Sequence, residues 1–402
     1  MKPALDTAGT DWRLGDLAPR VARGAAAVGL AGLLACVPAS YLTADGVNRF
    51  WHAYLVSFAY FLSLALGALF FVLLQHLTRA GWSVVLRRLA EALAGTLPLL
   101  ALLCVPLLIG MRHLYHWADA DAAAQDALLQ WKRPYLNVPF FVARLAVYFA
   151  VWVGLARFFF NSSVRQDASG DVHLTLRMQQ RSAPAMVAYG LTVTFAAIDL
   201  LMSLDAHWYS TIFGIYYFSG AVLGSCALLV VAVALVQRGG RLRRAITAEH
   251  LHDLGKLIFA FTVFWAYIAF SQYLLIWYAN IPEETVWYLR RQSGGWAAVS
   301  LTLLLGHFLV PFLLLLSRWA KRRRPVLVAV AAWVLVLHWV DIYWLVLPGA
   351  SPQHAWPQLP DLACLVGVGG LFAAAAAYRL RRCALLPLRD PRLAESLRFE
   401  NV

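Results

Sequence analysis

The stretch Thr211–Gln237, TIFGIYYFSGAVLGSCALLVVAVALVQ, runs 27 residues without a single Asp, Glu, Lys or Arg. About 20 predominantly apolar residues in a helix cross the ~30 Å hydrocarbon core of a bilayer. This stretch is long enough to do so and too apolar to sit at ease in water. Nine further segments of the same kind lie on either side of it, roughly 22–43, 52–77, 92–111, 137–160, 184–204, 254–279, 296–317, 325–347 and 361–380. The whole chain of 402 residues is 61% hydrophobic and only 14% charged, with a mean hydropathy of +0.65. A soluble domain carries about 25% charged residues, so soluble, disordered and fibrous classes are excluded. Backbone polar groups in lipid must be satisfied within the spanning element. The reading is therefore an all-α integral membrane protein with ten transmembrane helices.

The net charge of +13 becomes informative once it is mapped. Of 34 Lys and Arg residues, 27 fall in the amino terminus, alternate loops and the carboxyl tail, and 6 fall in the opposite loops. Arg144 alone is left inside a helix. Cytoplasmic loops carry the excess of cations, which predicts both termini in the cytoplasm and contact with anionic lipid there. The charge gives no support to nucleic-acid binding. Three regions are expected: a cytoplasmic amino-terminal segment over 1–21, a membrane domain over 22–380, and a cytoplasmic tail over 381–402. A basic start followed by an apolar run ending Val37-Pro38-Ala39-Ser40 also resembles a signal peptide; it is read here as a retained first helix.

A faint repeat relates segments two to five to segments six to nine. Phe61, Ser63 and Gly67 correspond to Phe218, Ser219 and Gly224, and segments five and nine each carry a buried acid, Asp199 and Asp341. Two four-helix bundles, about 52–204 and 211–347, flanked by the first and tenth helices, are expected from it. The five cysteines share no CxxC spacing, which excludes a zinc ribbon or a cluster-ligand set. No phosphate-binding loop, dinucleotide fingerprint or HExxH occurs.

An ionisable residue inside a spanning helix costs about 2.5–3.5 kcal/mol on insertion scales, so each needs a partner or a task. Arg144, Asp199, Gln272, His307, His338 and Asp341 all fall in the cation-poor half of the membrane, and no carboxylate clear of the helix ends is expected in the other half. Arg144 and Asp199 stand at matched depth on consecutive antiparallel segments. They fit either a packing ion pair or part of a quinol or proton site. Asp205 and His207 follow Asp199 and fit either a relay to the surface or helix caps. His307 and His338 could ligate one haem between helices, bridge helices or pass protons, and Asp341 is spaced to orient His338. Trp51, Trp117, Trp208, Trp287, Trp296 and Trp356 are expected in an interfacial belt. The loop Asn280–Glu284 is expected to offer a docking surface for an external partner.

Three strings then carry a resemblance. They are Ile198-Asp199-Leu-Leu-Met-Ser203-Leu204-Asp205-Ala-His207-Trp208-Tyr209-Ser210-Thr211, Phe270-Ser271-Gln272-Tyr273-Leu-Leu-Ile-Trp277-Tyr278-Ala-Asn280-Ile281-Pro282-Glu283-Glu284-Thr285, and Gly306-His307-Phe308 with Pro311-Phe312 and Ser317-Arg318. With His338-Trp339-Val-Asp341-Ile-Tyr343-Trp344 they span about residues 185–350. In this order they resemble the ActF-like membrane subunits of alternative complex III, a quinol:cytochrome c oxidoreductase, related to the NrfD or polysulfide-reductase membrane subunits. The resemblance implies the bacterial inner membrane and a multi-pass subunit that binds no haem or cluster itself, although quinone is a candidate ligand. It also implies partner subunits: an NrfD-like sister that oxidises quinol, multi-haem and mono-haem cytochromes, and an iron–sulfur subunit. The rival readings are a proton-coupled secondary transporter and a haem-b-carrying membrane cytochrome.

Overall fold

The computed structural model describes residues 12–43 and 45–401. The first half of the expected amino-terminal segment, residues 1–11, thus lies outside the described residues. Ten helices are long and apolar enough to cross a membrane: α1 (Leu17–Ser40), α2 (Gly46–Leu77), α3 (Val84–Ile109), α4 (Val138–Ser169), α5 (Val172–Leu204), α6 (Phe213–Arg238), α7 (Ala248–Ala279), α8 (Gly295–Leu316), α9 (Arg324–Ala350) and α10 (Leu359–Arg382). No strand occurs among the described residues. The chain is a multi-pass membrane protein.

Besides the last turn of α5, which becomes a 3-10 helix after Leu201, two spans are broken among the described residues, and each break has a proline nearby. In α3 the helix is interrupted ahead of Pro98 and again ahead of Pro106. In α8 Pro311 can give no N–H to the His307 carbonyl four residues back, and the backbone widens into a π turn over Leu303–Leu309. Single π turns of this kind recur at functional sites, and this one carries His307.

Packing sets the centre of the molecule. α2 is 89% buried over its apolar window and α6 is 72% buried, against 17% for α1. They can approach closely because Gly67 presents only backbone: a Cβ there would lie 2.1 Å from the Ala221 carbonyl oxygen. α9 packs against both, and α10 lies along α1 where Gly29 and Gly32 meet Gly367 and Gly370. Thus α2 and α6, the first members of the two expected bundles, touch directly. Leu191 of α5, Tyr267 of α7 and Leu304 of α8 leave apolar surface for lipid.

Three expectations are corrected by the helix bounds and burial. α3 begins at Val84, so Glu91 lies inside a span in the cation-rich half, where no such carboxylate was expected. It is buried beside Arg88 at 3.2 Å, and Arg88 also reaches Asp167 at 2.8 Å. Arg49, counted as a loop cation, stands inside α2, fully buried, and pairs with Asp361 of α10 while donating to the Tyr343 hydroxyl. The interfacial belt is also smaller than expected. Trp117, Trp208, Trp287 and Trp296 are buried at the cation-poor end, where Trp208 and Trp287 stack with ring centroids 4.3 Å apart. Of the six named, only Trp356 is largely exposed.

Candidate functional site

α9 presents His338 and Asp341, one turn apart, to the glycine-rich face of α6. Gly220 and Gly224 make room for the imidazole: a Cβ at either would come within 2.9 and 2.7 Å of the His338 ring. Asp341 is 1% exposed, yet no cation touches it among the described residues. Its carboxylate accepts instead from two neutral donors, the Tyr216 hydroxyl of α6 and the Trp265 indole N–H of α7, the latter at 3.1 Å. The expected contact with His338 is not made. Ser63 of α2 lies 2.8 Å from His338 Nε2 and gives its own proton to the Tyr60 carbonyl. A serine hydroxyl has one proton to donate, so Nε2–H donates to Ser63 and Nδ1 is left without a partner.

His307 stands across from this pair on the π turn. Its ring meets Trp265 edge to face at 4.4 Å and lies nearly parallel to His338, centroids 6.3 Å apart. Neither His307 nitrogen has a hydrogen-bond partner in a site with no solvent exposure. Leaving buried polar groups unmatched is costly, so these nitrogens are free to bind a proton, a water molecule or a metal ion. One ligand atom from each of His307, His338 and Asp341 lies within 4.8 Å of the others. Such a set can exchange protons or hold a metal ion.

A cavity of about 730 Å³ reaches the same place from the flank of the molecule. Its rim is the exposed apolar side chains Tyr267, Phe270, Leu301 and Leu304 of α7 and α8, and its inner wall includes Tyr216 and Trp265. The two donors to Asp341 therefore separate the carboxylate from a lipid-facing apolar cavity.

The second buried acid has different company. Arg144 donates from Nε and Nη2 to both oxygens of Asp199, at 2.8 and 2.9 Å. Tyr148 adds a third donor at 2.8 Å. Arg144 Nη1 goes to the Tyr135 carbonyl, and the guanidinium lies against the Tyr135 and Phe140 rings at 3.9 and 4.4 Å. Bidentate pairs of this kind are the strong ones.

The remaining expected residues separate from both acids. Gln272 bridges Ser210 and Tyr288, at 2.9 and 3.0 Å. Asp205 pairs with Arg290 at 3.0 Å, and His207 pairs with Asp126 at 2.7 Å. No side-chain hydrogen bond links Asp199 directly to Asp205 or His207 among the described residues, and Asp205 accepts instead from the His207 backbone N–H at 3.3 Å, the local contact of the capping alternative. Arg144, Asp199, Gln272, His338 and Asp341 are three groups, not one cluster. Tyr216, Trp265, Tyr148 and Ser63 complete these sites and were not expected. Each stands on a different helix from the acid or imidazole it contacts, so nothing in the linear sequence joined them to the site. No protein-family model matches the chain, and no curated protein matches it either.

Proposed function

We propose that the chain is a cofactor-free membrane subunit of a quinol-oxidising respiratory complex, seated in the bacterial inner membrane with both termini cytoplasmic. It would scaffold a quinol-oxidising sister subunit, with haems and iron–sulfur clusters on partner chains, and handle quinone or protons at Asp341. The observation that supports this reading best is the lipid-facing cavity that ends on Tyr216 and Trp265, one side chain from a buried carboxylate without a counter-ion. An apolar molecule with a small polar head can enter from the bilayer. Its proton can pass through the Tyr216 hydroxyl to Asp341, which exchanges it without breaking an ion pair. His338 Nδ1 and His307 stand beside it to accept the next step.

The experiment is Asp341→Asn in the assembled complex, read by quinol-dependent reduction of the partner cytochromes. Turnover should fall about a hundredfold, the scale of one general acid–base group, with normal assembly. Wild-type turnover would leave a scaffold only. The breaks in α3 and α8 are the feature a secondary transporter would use, but such breaks are expected at equivalent places in the two halves. In the repeat described above, α3 corresponds to α7, not to α8.

A further inference from the structure

At the cation-poor end, a second cavity of about 490 Å³ opens between the start of α2, the segment after α3, the α5–α6 connection, the short helix Pro282–Arg291 and the end of α9. Of the six cations assigned from sequence to the opposite side, Arg49 is inside α2, and three of the other five, Arg112, Arg290 and Arg291, line this one cavity. A single carboxylate, Asp205, lines it with them, and Arg290 already pairs with that.

Arg291 is 3% exposed, and among the described residues no carboxylate lies within ion-pair distance of it or of Arg112. Arg291 gives one N–H each from Nε, Nη1 and Nη2 to the carbonyls of Trp344, Trp287 and Leu345, at 3.2, 2.9 and 2.9 Å. A guanidinium has five N–H donors, so one on each Nη remains uncommitted. Trp287 stacks on the guanidinium at 3.3 Å and holds it in place. Burial pushes the Arg291 guanidinium down to about 9, so at neutral pH it still carries the charge that the fold opposes. His113 and His116 line the same cavity and add polar edges.

A buried cation with spare donors, facing a water-accessible cavity poor in acids, lacks its anion. We propose that this cavity binds a small oxyanion, a phosphate or carboxylate group held by Arg112, Arg290 and Arg291. The phosphate could come from the headgroup of an anionic lipid in the adjacent leaflet or from free solution. Arg291 also touches Trp344, which lines the first cavity, so the test is made at Arg112 and Arg290, which line only the second cavity, and its outcome does not depend on the quinol reading.

The test uses the purified full-length protein, stripped of lipid in detergent. Inorganic phosphate is titrated against chloride at equal ionic strength while the unfolding midpoint is followed. In parallel, retention of phosphatidylglycerol over phosphatidylcholine is read by native mass spectrometry. A saturable rise of the midpoint with phosphate supports the site and a soluble source. Selective retention of phosphatidylglycerol without a phosphate response supports the site and a lipid source. Because Arg291→Gln can fail to fold, the deciding variant is Arg112→Gln combined with Arg290→Gln at the rim. It should lower either response about tenfold or more in affinity. No response in either arm, or an unchanged response in that variant, overturns the proposal.

Discussion

Two of the buried aspartates, Asp199 near the end of α5 and Asp341 in α9, are held by opposite means. Asp199 meets a permanent cation in a bidentate pair and a tyrosine besides, so its charge is balanced and its oxygens are fully used. Asp341 meets only a phenol and an indole, with two imidazoles nearby and an apolar cavity behind the donors. Under the proposed function, the difference separates a lock from a working site. Adding a proton to Asp199 would break an ion pair that fastens α4 to α5. At Asp341 the same event breaks no ion pair.

The largest effect expected from this contrast is on stability at the first site. Arg144→Ala should cost about 3–5 kcal/mol, because it strands Asp199 as a buried charge. Arg144→Ala combined with Asp199→Ala should cost clearly less than the single change, as read by the unfolding midpoint in detergent. Equal costs would show that the pair is not a lock. Next, Tyr216→Phe should remove one donor to Asp341, lowering quinol-dependent turnover about tenfold while costing about 0.5–1.5 kcal/mol of stability. If the stability loss alone appears, the Tyr216 hydroxyl is only structural. Elemental analysis of the purified chain sharpens the comparison in another way. A proton-exchanging site expects no stoichiometric metal at His307, His338 and Asp341, and one metal per chain would recast the site as a metal centre. The smallest effect belongs to His207→Ala. The pair with Asp126 is half-exposed on the His207 side, and such pairs contribute about 0–1 kcal/mol. A large loss of turnover there would restore the surface relay that the structure leaves unconnected.

The spans were legible because ten long apolar runs have few alternatives in physics, and their bounds shifted mostly where helices continue beyond the hydrocarbon. Glu91 was missed for that reason: the polar start of α3 reads as loop until its packing against α4 is known. The Arg144–Asp199 pair was legible from depth, since both lie far from helix ends on neighbouring antiparallel segments. Asp341's partners were not. Tyr216 and Trp265 sit in apolar runs where an aromatic ring reads as lipid-facing, and only the crossing of α6, α7 and α9 turns their polar atoms inward. Arg49 and Arg291 were hidden in a similar way. At the edge of a span an arginine counts as loop charge, whereas burial depends on which helix end covers it.

In the proposed function Asp341, and not Asp199, is the working carboxylate. The most direct measurement compares Asp341→Asn with the charge-paired replacement of Arg144 and Asp199 by alanine, both in the assembled complex, by quinol-dependent cytochrome reduction per assembled complex. A loss of about a hundredfold is expected for Asp341→Asn, with near-normal turnover for the paired replacement once assembly is matched. Near-normal turnover in Asp341→Asn, with the loss falling on the paired replacement, would contradict that assignment.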